Sequence, residues 1–285
     1  MPMKRIFPSK MALILLILSL LFPLILSSVR TEDYHGNLKI GGTGGAYGVM
    51  TQVAEAFKKK YPQIRVDFPH SLGSAGGIKG VLAGALDLGL SARPLTAAER
   101  GQGAVATEYG RSPLMLVTSH QGGGINFTLK QIASLYSGEI KSYADGSPVR
   151  LILRPLADSD TSFLLSLSPE MAEAVRKALS REGMIIAYTD QDNANTLEKI
   201  KGAMGWMTLS QLISEKRSLT PLPIDNVKPS LDSLSSGAYP YCKTFSVITG
   251  PNPTPMVKSF MEFLTSAAGR KILLTNGLLV ERKKP

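Results

Sequence analysis

The chain has 285 residues, 44% of them hydrophobic and 19% charged, and carries a formal net charge of +10. That size suits two lobes of roughly 100–130 residues each, and the composition excludes a disordered or fibrous chain. The basic surplus favours anionic partners, but no dense Lys/Arg run with interleaved aromatics occurs, which argues against nucleic-acid binding.

At the N-terminus, Lys4, Arg5 and Lys10 precede an apolar stretch over 11–26 and the small pair Ser27 and Ser28. This is the order of a secretory signal, so residues 1–28 are expected to be a signal peptide cut after Ser27 or Ser28, with an uncleaved signal anchor as the alternative. The mature chain is then periplasmic or otherwise extracytoplasmic. No cysteine follows the apolar stretch to take a lipid. The single cysteine, Cys242, excludes an intrachain disulfide and reads as a small buried hydrophobe.

Residues 38–40 read as a short strand running into a glycine-rich loop over 41–45. Val49, Met50, Val53, Ala54 and Phe57 then recur at helical spacing up to Lys58, Lys59 and Lys60, cations that suit the negative pole of a helix. Ile64, Val66 and Phe68 alternate as a strand. A second glycine-rich loop, 72–77, opens a helix over 78–83, and an apolar strand over 86–90 leads into Ser91, Ala92, Arg93 and Pro94. This alternation predicts a parallel sheet with right-handed crossovers.

Residues 113–119 form another strong strand before glycines 122–124 break the pattern. Beyond them the spacing predicts helices over 129–135, 161–167, 169–180, 196–200 and 256–264, and strands over 149–153, 184–188, 204–207 and 245–249. A lobe boundary is expected near 119, with a return crossing near 240–245. Lobe 1 is then 29–118 with 245–285, and lobe 2 is 119–244. No repeat or low-complexity tract interrupts this organisation.

Three polar loops, 41–45, 73–77 and 158–161, each follow a predicted strand and lead toward a helix. Helix starts leave backbone N–H groups unpaired and carry partial positive charge, so an oxyanion there finds donors without a lysine. Ser74, Ser159 and Thr161 add hydroxyls, and Arg154 offers a two-pronged donor. The plainer explanation for Ser74, Ser159 and Asp160 is N-capping, and for Arg93 and Arg154 a surface ion pair.

Competing motifs fail. Gly42–Thr43–Gly44 opens like a dinucleotide fingerprint, but Tyr47 stands at the third glycine position. His35, His70 and His120 lack metal-ligand spacing. Helix capping explains Asp190 and Asp192 more simply than a cation site or an acid/base pair. No catalytic constellation emerges, and no metal or cofactor is implied.

Gly73–Ser–Ala–Gly–Gly–Ile78 and Asp87–Leu–Gly–Leu–Ser–Ala–Arg–Pro–Leu95, with the stretches 129–138, 202–206 and 260–264, Gly269 and Gly277, resemble the phosphate-type, PstS-like solute-binding proteins of ABC transporters. The resemblance spans about 37–281. It implies an α/β, two-lobed periplasmic-binding-protein-like fold of type II, each lobe a mixed sheet flanked by helices, joined by two hinge crossings. It also implies an inorganic oxyanion, phosphate or a relative, bound between closing lobes, and an ABC transporter permease that reads the closed monomer. By position it assigns the anion to Thr43 and Gly44, to Ser74 with the Ala75 amide, to Ser91 and Arg93, and to Arg154, Ser159, Asp160 and Thr161. Two departures stand out. Ala92 replaces an aspartate that accepts the proton of hydrogen phosphate, and Asp160 replaces the glycine of a Ser–Gly–Thr turn, where it either offers a substitute acceptor or repels a dianion. A sensor or interaction module that keeps the fold without transport is the alternative.

Overall fold

Alternating and apolar runs become one mixed sheet in the computed structural model, which describes residues 35–122 and 124–280. The expected signal, 1–28, lies outside the described residues. The strands are β1 (Gly36–Gly42), β2 (Ile64–Asp67), β3 (Leu88–Ser91), β4 (Val105–Thr118), β5 (Arg150–Leu153), β6 (Ile185–Ile186), β7 (Ala203–Thr208), β8 (Thr220–Pro221) and β9 (Cys242–Thr249). Their order is β2-β1-β3-β9-β4-β7-β5-β6, with β8 added beside β4. The pairs β1–β2 and β1–β3 are parallel, as the sequence order predicts, and so are β5–β6 and β5–β7.

The helices are α1 (Tyr47–Lys60), α2 (Gly73–Leu82), α3 (Ala97–Gly101), α4 (Leu129–Ser137), α5 (Ser159–Leu167), α6 (Pro169–Ser180), α7 (Asp190–Lys199), α8 (Leu209–Ser214), α9 (Leu231–Ser235), α10 (Pro255–Thr265) and α11 (Ala267–Thr275). They cover both faces of the sheet. In β4, Leu114 and Leu116 face a core with Ile132, Met171 and Trp206, while Met115 and Val117 face another with Ala194 and Leu197. This period-two division is what a strand buried on both faces requires. On the N-terminal side, Phe57 of α1 meets Phe260 of α10 edge-on, with centroids 5.2 Å apart.

One strand joins the halves of the sheet. β4 pairs with β9 from Val105 to Pro113 and with β7 from Leu114 to Thr118. Its register against β9 shifts between Glu108 and Gly110. The sequence reading began this strand only at 113, because the polar stretch 105–112 with an irregularity inside it shows no clean alternation.

The glycine-rich stretch expected as a loop over 72–77 is instead the start of α2. Gly73, at φ +65°, makes the left-handed turn into it, and Gly77 lets the helix lie on the sheet. A methyl group at Gly77 would stand 2.7 Å from the Cα of Gly42, so close backbone contact explains the glycine better than loop flexibility. The helix expected over 196–200 begins earlier, at Asp190, because Thr189 and Asp192 form a capping box.

Candidate functional site

Parallel strands in both halves of the sheet deliver their C-terminal ends to one place, the edge where open α/β sheets hold ligands. In the first half β1 ends at Gly42, and Thr43 donates its amide to the Leu90 carbonyl of β3 at 3.0 Å. A 3-10 turn over Gly44–Ala46 then leads into α1. The Leu72 amide donates to Gly42 O at 3.0 Å, which brings the start of α2 against the same turn. Ser74, buried, accepts from the Ala92 amide at 2.9 Å. That bond ties α2 to the segment after β3, so Ser74 does not cap its helix. Ala75, beside it, is exposed.

In the second half, Arg154 follows β5 directly and is only 7% exposed. One guanidinium nitrogen donates to the Ala187 carbonyl at 3.0 Å, and the other to Asp158 at 2.8 Å. Asp158 caps α5, its other oxygen accepting the Asp160 amide at 2.8 Å. The capping reading therefore holds for this helix start, but the cap is Asp158, one residue before Ser159. Thr161 donates its hydroxyl back to Arg154 O at 3.0 Å and fixes the turn.

Asp160 is the acidic departure noted in the sequence, and it does not stand alone. Lys243 of β9, itself buried, forms an ion pair with it and donates to the Ser159 hydroxyl at 2.7 Å. Burial still pushes the Asp160 carboxyl up from the ordinary aspartate range, with Lys243 opposing that shift. A buried carboxylate left without its partner would cost several kcal/mol, so Lys243 answers the charge problem that the turn creates. Nothing local in the sequence marks Lys243. It lies 83 positions from Asp160 and sits on the strand through its neighbours' periodicity alone.

The halves meet at Asp190, the first residue of α7. Its carboxylate accepts the Gly45 amide at 2.9 Å and the Thr43 hydroxyl at 3.3 Å, and lies 3.5 Å from the Arg154 guanidinium. Sequence reasoning treated Asp190 as a helix cap, but Thr189 and Asp192 fill that role and leave this side chain free to reach across. Gln191 donates to Gly44 O at 3.0 Å beside it.

The segments 42–45 and 158–161 thus meet at one polar centre, while 73–77 is tied to the first of them through the Leu72–Gly42 hydrogen bond. Thr43 and Arg154 contribute side chains that touch the same carboxylate, and Gly44 joins through its carbonyl. Ser91, at the end of β3, is buried, and its hydroxyl turns to the Arg93 backbone at 2.8 Å. Arg93 faces away and grips Glu99 with both nitrogens, at 2.9 and 2.7 Å. The Gly45 amide, one residue past the expected pair, is the donor that the sequence reading missed.

A sequence profile of the PBP superfamily domain matches residues 29–268. The phosphate-binding protein PstS of Borreliella burgdorferi is 21% identical over 277 residues, covering 93% of this chain and 98% of the relative. PstS of Bacillus subtilis is 24% identical over 263 residues, covering 88% and 82%. Among solved structures, a candidate phosphate ABC transporter substrate-binding protein from Clostridium perfringens with bound phosphate superimposes with a TM-score of 0.74 at 21% identity, over 87% of this chain and 100% of that one. An ABC-type phosphate transport receptor from Vibrio cholerae gives 0.62 at 17%, over 86% and 100%. The structural likenesses show an α/β fold, a mixed sheet flanked by helices, shared along nearly the whole described chain.

Proposed function

The chain belongs to the PBP superfamily, and from that premise we propose that it captures a small tetrahedral oxyanion, phosphate foremost, outside the cytoplasm and delivers it to an ABC transporter permease. The observation that carries this reading is the convergence of the Thr43 hydroxyl, the Gly45 amide and the Arg154 guanidinium on a single carboxylate. Donors from both halves of the sheet already hold one anionic group, and an oxyanion satisfies the same donors with more acceptor oxygens. Relatives named as phosphate-binding proteins support phosphate as the first choice.

In this reading Ser74 with the Ala75 amide, Ser91, and the Ser159–Asp160–Thr161 turn border the anion. Arg93, committed to Glu99, stays outside the donor set. The lobes are 29–118 with 245–285 and 119–244, and they close on the ligand about the two hinge crossings expected near 119 and 240–245. The protein works as a monomer, takes no cofactor and performs no chemistry on its ligand. Among the described residues no helix is long and apolar enough to cross a membrane. The export signal proposed for 1–28 places the protein outside the cytoplasm.

Calorimetry against phosphate, sulfate, molybdate and tungstate tests the proposal. We expect one-to-one binding of phosphate, weakened about 30-fold or more in Arg154→Ala, because the truncation strips a charged partner from a desolvated contact. Absence of heat and of any thermal shift with all four anions would end it.

A further inference from the structure

Asp190 holds the position that the proposed ligand needs. Its carboxylate is mostly buried and takes the Gly45 amide and the Thr43 hydroxyl while facing Arg154. The helix behind it does not depend on this side chain, since Thr189 and Asp192 supply the capping box. Its own carbonyl is fixed by Gln211 at 3.2 Å, so the helix start is anchored from behind. Gln191 reinforces the crossing, donating to Gly44 O at 3.0 Å and to Glu215 at 3.1 Å.

The local charge makes joint occupancy unfavourable. Asp158 and Asp190 both face Arg154, and Asp160 faces Lys243, so three carboxylates already meet two cations. A dianion placed beside Asp190 would add two further negative charges to a region from which water is largely excluded. Ligand and carboxylate therefore exclude each other.

We propose that Asp190 is a tethered competitor: it fills the anion site of the ligand-free protein, clasps the 43–45 turn to α7, and sets which anions enter. This rests on the oxyanion-binding reading above. An anion gains entry only if it satisfies Thr43, Gly45 and Arg154 better than a carboxylate does. That favours tetrahedral oxyanions, with several acceptor oxygens, over carboxylate-bearing or halide ions. Ligand binding then swings the Asp190 side chain out, and the apparent affinity is the intrinsic affinity reduced by the occupancy of the plugged state.

The test is calorimetric titration of inorganic phosphate into the wild-type protein, Asp190→Asn and Asp190→Ala, with thermal melts to identify the folded samples. The near-isosteric Asp190→Asn keeps the experiment decisive if Asp190→Ala does not fold. The competitor predicts that the variants bind phosphate about tenfold or more tighter than wild type, because the competing state is lost. Binding by the variants alone would support it in its strongest form. Wild-type binding that becomes weaker, or does not change, in the variants would overturn the competitor and leave the oxyanion reading standing. In the weaker case Asp190 is a direct ligand contact. Silence from all three proteins would overturn both.

Discussion

Arg93–Pro94–Leu95 follows β3, and Arg154–Pro155–Leu156 follows β5, so the same three residues leave two strands, each parallel to a neighbour in its own half of the sheet, and run toward two helix caps. Their surroundings differ. The Arg93 side chain is 28% exposed and binds Glu99, the residue that closes the capping box with Thr96. Every partner it needs lies within six positions. The Arg154 side chain is 6% exposed and draws its partners from the β6 exit, the α5 cap and the α7 start, with Nε left unpaired. An arginine satisfied by its own helix cap has no use for a ligand. An arginine that depends on three separate elements registers any change in where they stand.

The largest test of that contrast is Arg154→Leu. It leaves Asp158 and Asp190 facing each other without a cation, and unfolding in urea should show a loss of about 4–5 kcal/mol. A loss no greater than that of the matching change at Arg93 would dissolve the comparison. Next in size is Lys243→Met, which strands Asp160 and should cost about 3 kcal/mol, with much of it returned by adding Asp160→Asn. Failure of the second change to restore stability would mean that Lys243 acts through packing of its stem.

The smallest effect is expected at Arg93→Ala, below about 1 kcal/mol at neutral pH, with phosphate binding unaltered. Its pH dependence has a defined sign. The Arg93 guanidinium holds Glu99 down to about 2 from the ordinary 4.5. A carboxyl lowered by folding stabilises the protein above its unfolded value, and that contribution fades as the pH falls from 4.5 toward 2. Thermal melts in acid should therefore bring wild type and variant together. A gap that widens in acid would reverse the assignment.

Much of the frame was legible before any coordinates. The apolar runs at 86–90 and 204–207 and the helical spacing from Val49 to Phe57 each became an element within a few residues of expectation. Local signals sufficed there because periodicity and burial agree. Missing was information carried between distant positions. The short segments α3, α8, α9 and β8 have too few residues to show a period. β6 was read as five residues but pairs over only two, since an edge strand ends where its neighbour stops. In the site, Arg154 stood out by residue type and place, and Thr43 through the family resemblance alone. Asp190 and Lys243 did not, because their roles depend on partners 147 and 83 positions away, a separation that no local pattern encodes.

The chain's lone thiol has a useful address. Cys242 opens β9 directly opposite Pro113, the position at which β4 passes from one half of the sheet to the other. It is half-buried, and burial raises its ionisation above the usual thiol range, which slows attack by electrophiles but leaves the sulfur reachable. A fluorophore attached there would sit where β4 changes partners, without any engineered substitution, so its emission would test the proposed closure directly by asking whether one half turns against the other when solute arrives.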